Sequence, residues 1–226
     1  LNTLDEKASK TEDWVIKNQK HIFIFIGVVA AVVLGYLGYN EFIAQPAQKE
    51  AMNDMFQAQK YYNEAIAAED KDSLFNLALN GGEGKFGMLD IISEHSGTPA
   101  ANLANYYAGR AYLNMKDYKN AVSYLSNYDG SDEVTAPIAK GAIGDAFVQL
   151  NQKEDALDYY KQAAELRSNE LTAPMYLFKA GIIALEIGKV NEALGYFTRI
   201  KEEYAGSDEA TDIDVFIGKA EALANK

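Results

Sequence analysis

The stretch TAPIAKGAIGDAFVQLNQKEDALDYYKQAAEL, residues 135–166, decides the fold. Thr135 can cap a helix N-terminus, and Pro137 is tolerated in a first helical turn, where its missing N–H has no intrahelical partner to lose. A run of mostly small and apolar residues, broken by Lys140, Asp145 and Gln149, then reaches Leu150. Asn151-Gln152-Lys153 is a polar turn, and Ala156 and Tyr160 mark one face of a second helix. The pattern recurs. Gly109, Gly144, Gly181 and Gly218 are spaced by 35, 37 and 37 residues. Ala121, Ala156 and Ala193 follow the first three glycines by 12, and a bulky Leu125, Tyr160 or Phe197 follows each alanine by four. Thr172-Ala173-Pro174 repeats the start, with Thr98-Pro99 a looser version. Met115-Lys116-Asp117 and Gly188-Lys189 repeat the turn. Each unit reads as a helix, a tight turn and a second helix, so the expected fold class is all-α.

The spacing resembles the tetratricopeptide repeat, a helix–turn–helix of about 34 residues with small residues at its eighth and twentieth positions. The pairs Gly109/Ala121, Gly144/Ala156 and Gly181/Ala193 match them, over residues 98–226. The match is imperfect: Asn105, Lys140 and Leu177 stand where the family's Trp would be, and the linkers are longer. Thr211 to Ala224 looks like a half repeat that caps the array. The resemblance implies a solenoid whose first helices line a concave groove. By its register the groove residues are Leu103, Tyr106, Arg110, Leu113 and Asn114 in the first repeat. In the second they are Ile138, Gly141, Asp145, Val148 and Gln149. In the third they are Met175, Phe178, Ile182, Leu185 and Glu186. That lining is largely apolar with one base, and it suits an apolar helix or extended segment of a partner protein.

Upstream, residues 44–97 read as a helical neck. Met52, Met55, Phe56, Gln59, Tyr62 and Ile66 have helical spacing. Lys71 to Leu79 reads as a second helix, Asn80-Gly81-Gly82-Glu83-Gly84 as a breaker, and Phe86 to Glu94 as a third helix ending at His95-Ser96-Gly97. Before the neck stands IFIFIGVVAAVVLGYLGYNEFI, residues 22–43. From Ile22 to Tyr39 it carries no charge, and such a run rises about 27 Å as a helix, close to the hydrocarbon thickness of a bilayer. Residues 21–43 are therefore read as a transmembrane helix. The run is too long for a signal-peptide core, and Ala44-Gln45-Pro46 is a poor cleavage site. Gly27, Ala31 and Gly35 form a small-residue stripe at which another membrane helix could pack closely. Lys7, Lys10, Lys17 and Lys20 precede the span, whereas the nearest bases beyond it are Lys49 and Lys60. Residues 1–20, a short amphipathic or partly ordered segment, thus stay cytoplasmic, and residues 44–226 are exported.

Net charge is −12. The four lysines before the span balance Asp5, Glu6, Glu12 and Asp13, so the excess lies beyond it. Such an acidic domain repels nucleic acid and anionic lipid. There is no cysteine, which removes disulfides, thiolate catalysis and Cys-ligated metals. His21 and His95 lack partners at metal spacing. Asp129-Gly130-Ser131-Asp132-Glu133 lacks the spaced ligands of a calcium loop and reads as a solvated turn. Gly81-Gly82-Glu83-Gly84 lacks the Lys-Ser/Thr of a phosphate loop. Ser207-Asp208-Glu209 and Thr211-Asp212-Asp214 read as helix caps. No catalytic, cofactor or metal site is expected, and the chain does not read as an enzyme.

Anchor, neck and acidic repeats together are similar to the YfgM-like ancillary subunits of the bacterial SecYEG translocon. The stretch GMLDIISEHSGTPAANLANYYAGRAYL, residues 87–113, looks like that family's lead into its repeats. The resemblance implies a single-pass protein of the bacterial inner membrane, with a periplasmic domain acting as scaffold or co-chaperone. Its implied partners are SecYEG, a membrane-anchored periplasmic prolyl-isomerase-type chaperone and exported client chains. A scaffold of another envelope machine, for outer-membrane assembly, secretion or division, fits the same features.

Overall fold

In a computed structural model the backbone of residues 2–225 is described, and the side chains of residue 12 and residues 14–225. The structured part of the chain is helical, with no strand among the described residues. It divides into two units, residues 1–49 and 50–226.

The first unit begins with α1 (Asn2–Tyr39). The helix runs without a break through residues 2–20 and into the apolar run; the side chain of Leu4 lies outside the described residues. Large apolar side chains along α1 are exposed, from Trp14 to Tyr39. Among the described residues it belongs to the one helical stretch, Trp14–Ala67, that is long and apolar enough to cross a membrane. One π-helical turn, Asn40–Ala44, follows, and the N–H of Gln45 reaches back to the carbonyl of Asn40. Its place has a physical reason. Pro46 has no N–H to donate, and the wider turn shifts the hydrogen-bond register just before it.

The second unit continues α2 (Gln45–Ala67) and adds α3 (Asp72–Asn80) and α4 (Met88–Glu94). Ala51, Met55, Ala58, Tyr62 and Ala65 are the buried face of α2. They share a core with Phe75, Leu79, Met88, Ile91 and the alanines of α5 (Pro99–Asn114). The face differs from the expected one, for Met52, Phe56 and Ile66 are exposed. Alanines on the inner face let α2 approach its neighbours closely, and Tyr62 sets edge-on against Phe75 and Tyr107 at 5.7 and 5.0 Å. His95 also finds a partner that no spacing signalled: its Nε2 lies 2.8 Å from Asp54 Oδ2, joining α2 to the end of α4.

The repeats are α5 with α6 (Tyr118–Asn127), α7 (Thr135–Gln149) with α8 (Lys153–Glu165), and α9 (Thr172–Glu186) with α10 (Val190–Glu203). A 3₁₀ turn, Asp208–Ala210, leads to α11 (Ile213–Ala224). Each helix packs on the next, and the first helices also touch one another, α5 on α7 and α7 on α9. The glycine–bulky pairing now has a cause. A Cβ on Gly109 would fall 2.5 Å from Leu125 Cγ, on Gly144 2.7 Å from Tyr160 Cδ1, and on Gly181 2.4 Å from Phe197 Cε1. The large residue of the second helix fills the notch in the first. Gly218, on α11, has nothing within 4 Å.

The turns repeat as closely. Lys116, Asn151 and Gly188 all have positive φ, at 62°, 57° and 78°. In each, the following N–H bonds a carbonyl five residues back, as Asp117 to Tyr112, Gln152 to Phe147 and Lys189 to Ala184. That is a Schellman ending, which favours glycine. Lys116→Gly is therefore expected to stabilise the domain, by about 0.5–1 kcal/mol, seen as a higher midpoint in urea.

The helix starts differ from expectation. Thr98 does cap α5, its Oγ1 accepting from the Ala101 N–H at 3.1 Å. Thr135 and Thr172 instead lie inside the first turn. Asp132 Oδ1 accepts from the N–H groups of Val134 and Thr135, and Asn169 Oδ1 from those of Leu171 and Thr172, both at 2.9 Å for Asn169. An Asx side chain reaches the backbone two and three residues on, so it caps from further out. Burial alone would raise the Asp132 pKa, but these N–H groups outweigh it and hold the carboxyl below its usual value. A lowered folded value means stability present above the ordinary carboxylate range and lost as pH falls through the lowered one. Asp132→Ala is expected to cost about 1 kcal/mol at neutral pH. Its midpoint should merge with the wild-type midpoint as pH drops through that range in a denaturation series.

Candidate functional site

A polar cluster is built around Asp145 of α7. Tyr160, from α8, donates to Asp145 Oδ1 at 2.6 Å, and Lys179 Nζ of α9 donates to the same oxygen at 2.7 Å. Lys179 also lies 5.5 Å from the Tyr160 ring centre and 5.8 Å from that of Tyr176. The two rings stack at 6.3 Å. One lysine thus joins the second and third repeats by an ion pair to Asp145 and a cation–π contact to Tyr160, and it lies over Tyr176 of its own helix as well. Burial, then the Asp145 charge, push both phenols well up from their ordinary values. Both hydroxyls stay protonated, so Tyr160 is fixed as a donor to Asp145.

The aromatic shelf depends on two glycines. Gly144 admits the Tyr160 ring, and a Cβ on Gly141 would fall 1.9 Å from Tyr176 Cε1. Gly141 is therefore occupied by Tyr176 of the next repeat. Beside the shelf opens a cleft of 450 Å³, lined by Leu113, Asn114, Lys116, Tyr118, Asp145, Val148, Gln149, Tyr160 and Lys179. Five of the expected groove residues meet here: Leu113, Asn114, Asp145, Val148 and Gln149.

The other expected residues lie elsewhere. Leu103 packs against the neck core. Tyr106 meets the rings of Tyr107 and Tyr128 at 5.7 and 5.4 Å. Arg110 is hydrogen-bonded to Tyr62, and its Nε is buried without a partner among the described residues. Burial disfavours its charge, but the oxygens of Tyr62 and Tyr106 more than offset that. Ile138 is half-buried on α7. Met175, Phe178, Ile182 and Leu185 pack against the C-terminal core, where Phe178 meets Phe216 of α11 at 4.8 Å. Glu186 pairs with Lys153 at 3.1 Å. Gly27 and Gly35 have nothing within 4 Å, and Ala31 is exposed.

Register alone missed Tyr160, Tyr176, Lys179, Tyr118 and Lys116. Tyr160 carried a signal, as the bulky residue after Ala156, but that signal speaks of packing. Lys179 lies next to groove position Phe178 and reaches back across one repeat, which a register taken repeat by repeat does not show. Among the described residues no three His, Asp or Glu side chains converge as a metal site would need. The cleft's carboxylate is neutralised by Lys179.

Comparison with known proteins agrees with this architecture. Residues 103–128 and residues 142–208 match the tetratricopeptide repeat. Two crystal structures of nearly identical TPR-like repeats, from a Podosopora anserina kinesin light chain and from a variant of it, superpose with a TM-score of 0.54. They are 11% and 10% identical to this chain and cover 79% of it and 88% of their own length. No curated protein matches significantly. The chain carries tetratricopeptide repeats folded as an all-α solenoid, an architecture that binds proteins.

Proposed function

We propose that this chain is a membrane-anchored scaffold. Its apolar helix holds it in a bilayer, and the face formed by α5, α7 and α9 takes an apolar helix or extended segment of a partner protein. The observation that carries this reading is the cleft between Leu113, Val148 and the Asp145–Lys179 pair. Leu113 and Val148 there stand beside a polar pair already internally satisfied, so a partner's apolar side chain can enter without stranding a charge. The lysines before the span favour a cytoplasmic N-terminus and a periplasmic repeat domain in a bacterial inner membrane. The machine it serves is the Sec translocon. The anchor, the stretch 87–113 and the acidic repeats support association with SecYEG and with a membrane-anchored periplasmic prolyl-isomerase-type chaperone. The open stripe of Gly27, Ala31 and Gly35 is the side on which the span meets another membrane helix. In this reading the protein performs no catalysis.

Purification of the tagged full-length chain in a gentle detergent, with mass spectrometry of what accompanies it, tests the reading. Translocon subunits together with a prolyl-isomerase chaperone are the expected companions. Outer-membrane assembly, secretion or division proteins in their place would keep the scaffold and sink the Sec assignment.

A further inference from the structure

α2 carries two stripes at the same spacing of alternate threes and fours. Ala51, Met55, Ala58, Tyr62 and Ala65 are buried in the neck core. One residue on, and so about 100° round the helix, run Met52, Phe56, Gln59, Asn63 and Ile66. On this second stripe Met52 is 39%, Phe56 67% and Ile66 46% exposed. A hollow of 490 Å³ lies on this face, lined by Phe56, Gln59, Lys60, Asn63, Glu64 and Ala67. We propose that the second stripe is the seam of a parallel homodimer, occupied by α2 of a second copy of this chain.

Periodicity points to a helix as the occupant. The steps of four, three, four and three are those of heptad positions d, a, d, a and d, with Phe56 and Asn63 at a. The amide of Asn63 points to a copy of the same chain. It carries donors and an acceptor, so across a two-fold axis it meets its own mate and is satisfied, whereas Gln59 is already hydrogen-bonded to Tyr107. A wholly apolar foreign helix would leave Asn63 buried and unpaired, at a cost. Asn at an a position also favours two parallel strands in a single register.

Charge is consistent with the choice. Copies with net charge −12 repel over most of their surface. On this face Lys60 and Glu64 pair with each other at 3.8 Å, and Asp54 is engaged by His95, so self-approach is not opposed here. Length matters as well. Residues 52–66 make about two heptads, short of the three to four of a free-standing coiled coil. The seam therefore depends on anchoring, which makes the copies parallel and raises their effective concentration. In that respect it rests on the membrane-anchor reading.

The chain has no cysteine, so single introduced cysteines report cleanly. Full-length Phe56→Cys, Gln59→Cys, Asn63→Cys and Ile66→Cys, with Asn53→Cys and Glu64→Cys beside the seam, are oxidised mildly in membranes. Disulfide-linked homodimer is expected at the four seam positions, about tenfold above the two flanking ones. Adding the exposed Phe56→Glu to Asn63→Cys is expected to cut that cross-link by about tenfold, the factor one well-packed contact supplies, with the helical melting curve unchanged. No cross-link, equal cross-linking at all six sites, or a cross-link to a different protein overturns the seam. A cross-link that survives Phe56→Glu also overturns it and moves the contact to the span. If the chain is missing from the membrane fraction, the anchor falls and the parallel dimer falls with it.

Discussion

Phe197→Ala is expected to destabilise the repeat domain by about 3–5 kcal/mol, the range for emptying a fully buried aromatic site. Phe197 is completely buried in the notch over Gly181 and touches Phe178 and Phe216 at 6.0 and 5.5 Å. Gly181→Val fails for the opposite reason. A Cβ at 181 already falls 2.4 Å from Phe197 Cε1, and a ring wedged between two phenylalanines cannot swing aside. Overpacking of this kind costs about 1–3 kcal/mol. The two faults lie in one space, so the double variant should lose less than the sum, with a coupling of about 1–3 kcal/mol. Urea denaturation of the four proteins measures it. Strict additivity would show that the notch is not a packing contact. Gly218→Ala is the control. With nothing near its Cβ position, it should gain about 0.5–1 kcal/mol of helix propensity.

The second large effect is on binding. Val148→Glu puts a carboxylate on the apolar wall of the cleft beside Asp145, and capture of the partner found by purification is expected to fall about thirtyfold, the ~2 kcal/mol of a central contact. Val148 is half-buried, and from the cleft the new side chain can turn to water, so the denaturation midpoint should move little. Lys179→Met separates binding from bracing. It removes the ion pair and both cation–π contacts. Because Lys179 and Asp145 are 37% and 35% exposed, solvent screening limits the loss to about 1 kcal/mol. Partner capture that is unchanged in Val148→Glu, measured by titration on immobilised full-length protein, would move the binding surface off this face.

The repeat notch was legible because it is local. Gly109, Gly144 and Gly181 and their bulky partners recur at constant offsets, and a helix and its neighbour across one short turn have little freedom. The long apolar run was legible too, since a bilayer demands length and lack of charge, and both can be counted. The αL residues of the turns lay in the quoted turn segments, but only the backbone angles show that Lys116 and Asn151 play the part of Gly188.

The candidate site was half legible. Residues expected in one groove separate because neighbours outside the register claim some of them. Tyr62 of the neck takes Arg110, Phe216 of the last helix takes Phe178, and Tyr176 fills the space over Gly141. Each contact joins residues about 35 to 48 positions apart, and periodicity within one helix carries no information about which distant ring arrives. The same holds for His95 with Asp54 and for the two stripes of α2. Met52 and Met55 are equally apolar, and only the docking of α3 to α5 decides which is covered. Sequence alone determined the helices, their notches and the candidate span, all set by neighbours along the chain. Tertiary structure decided which faces are spent on the core and which remain for partners, because burial is settled by what packs from far away.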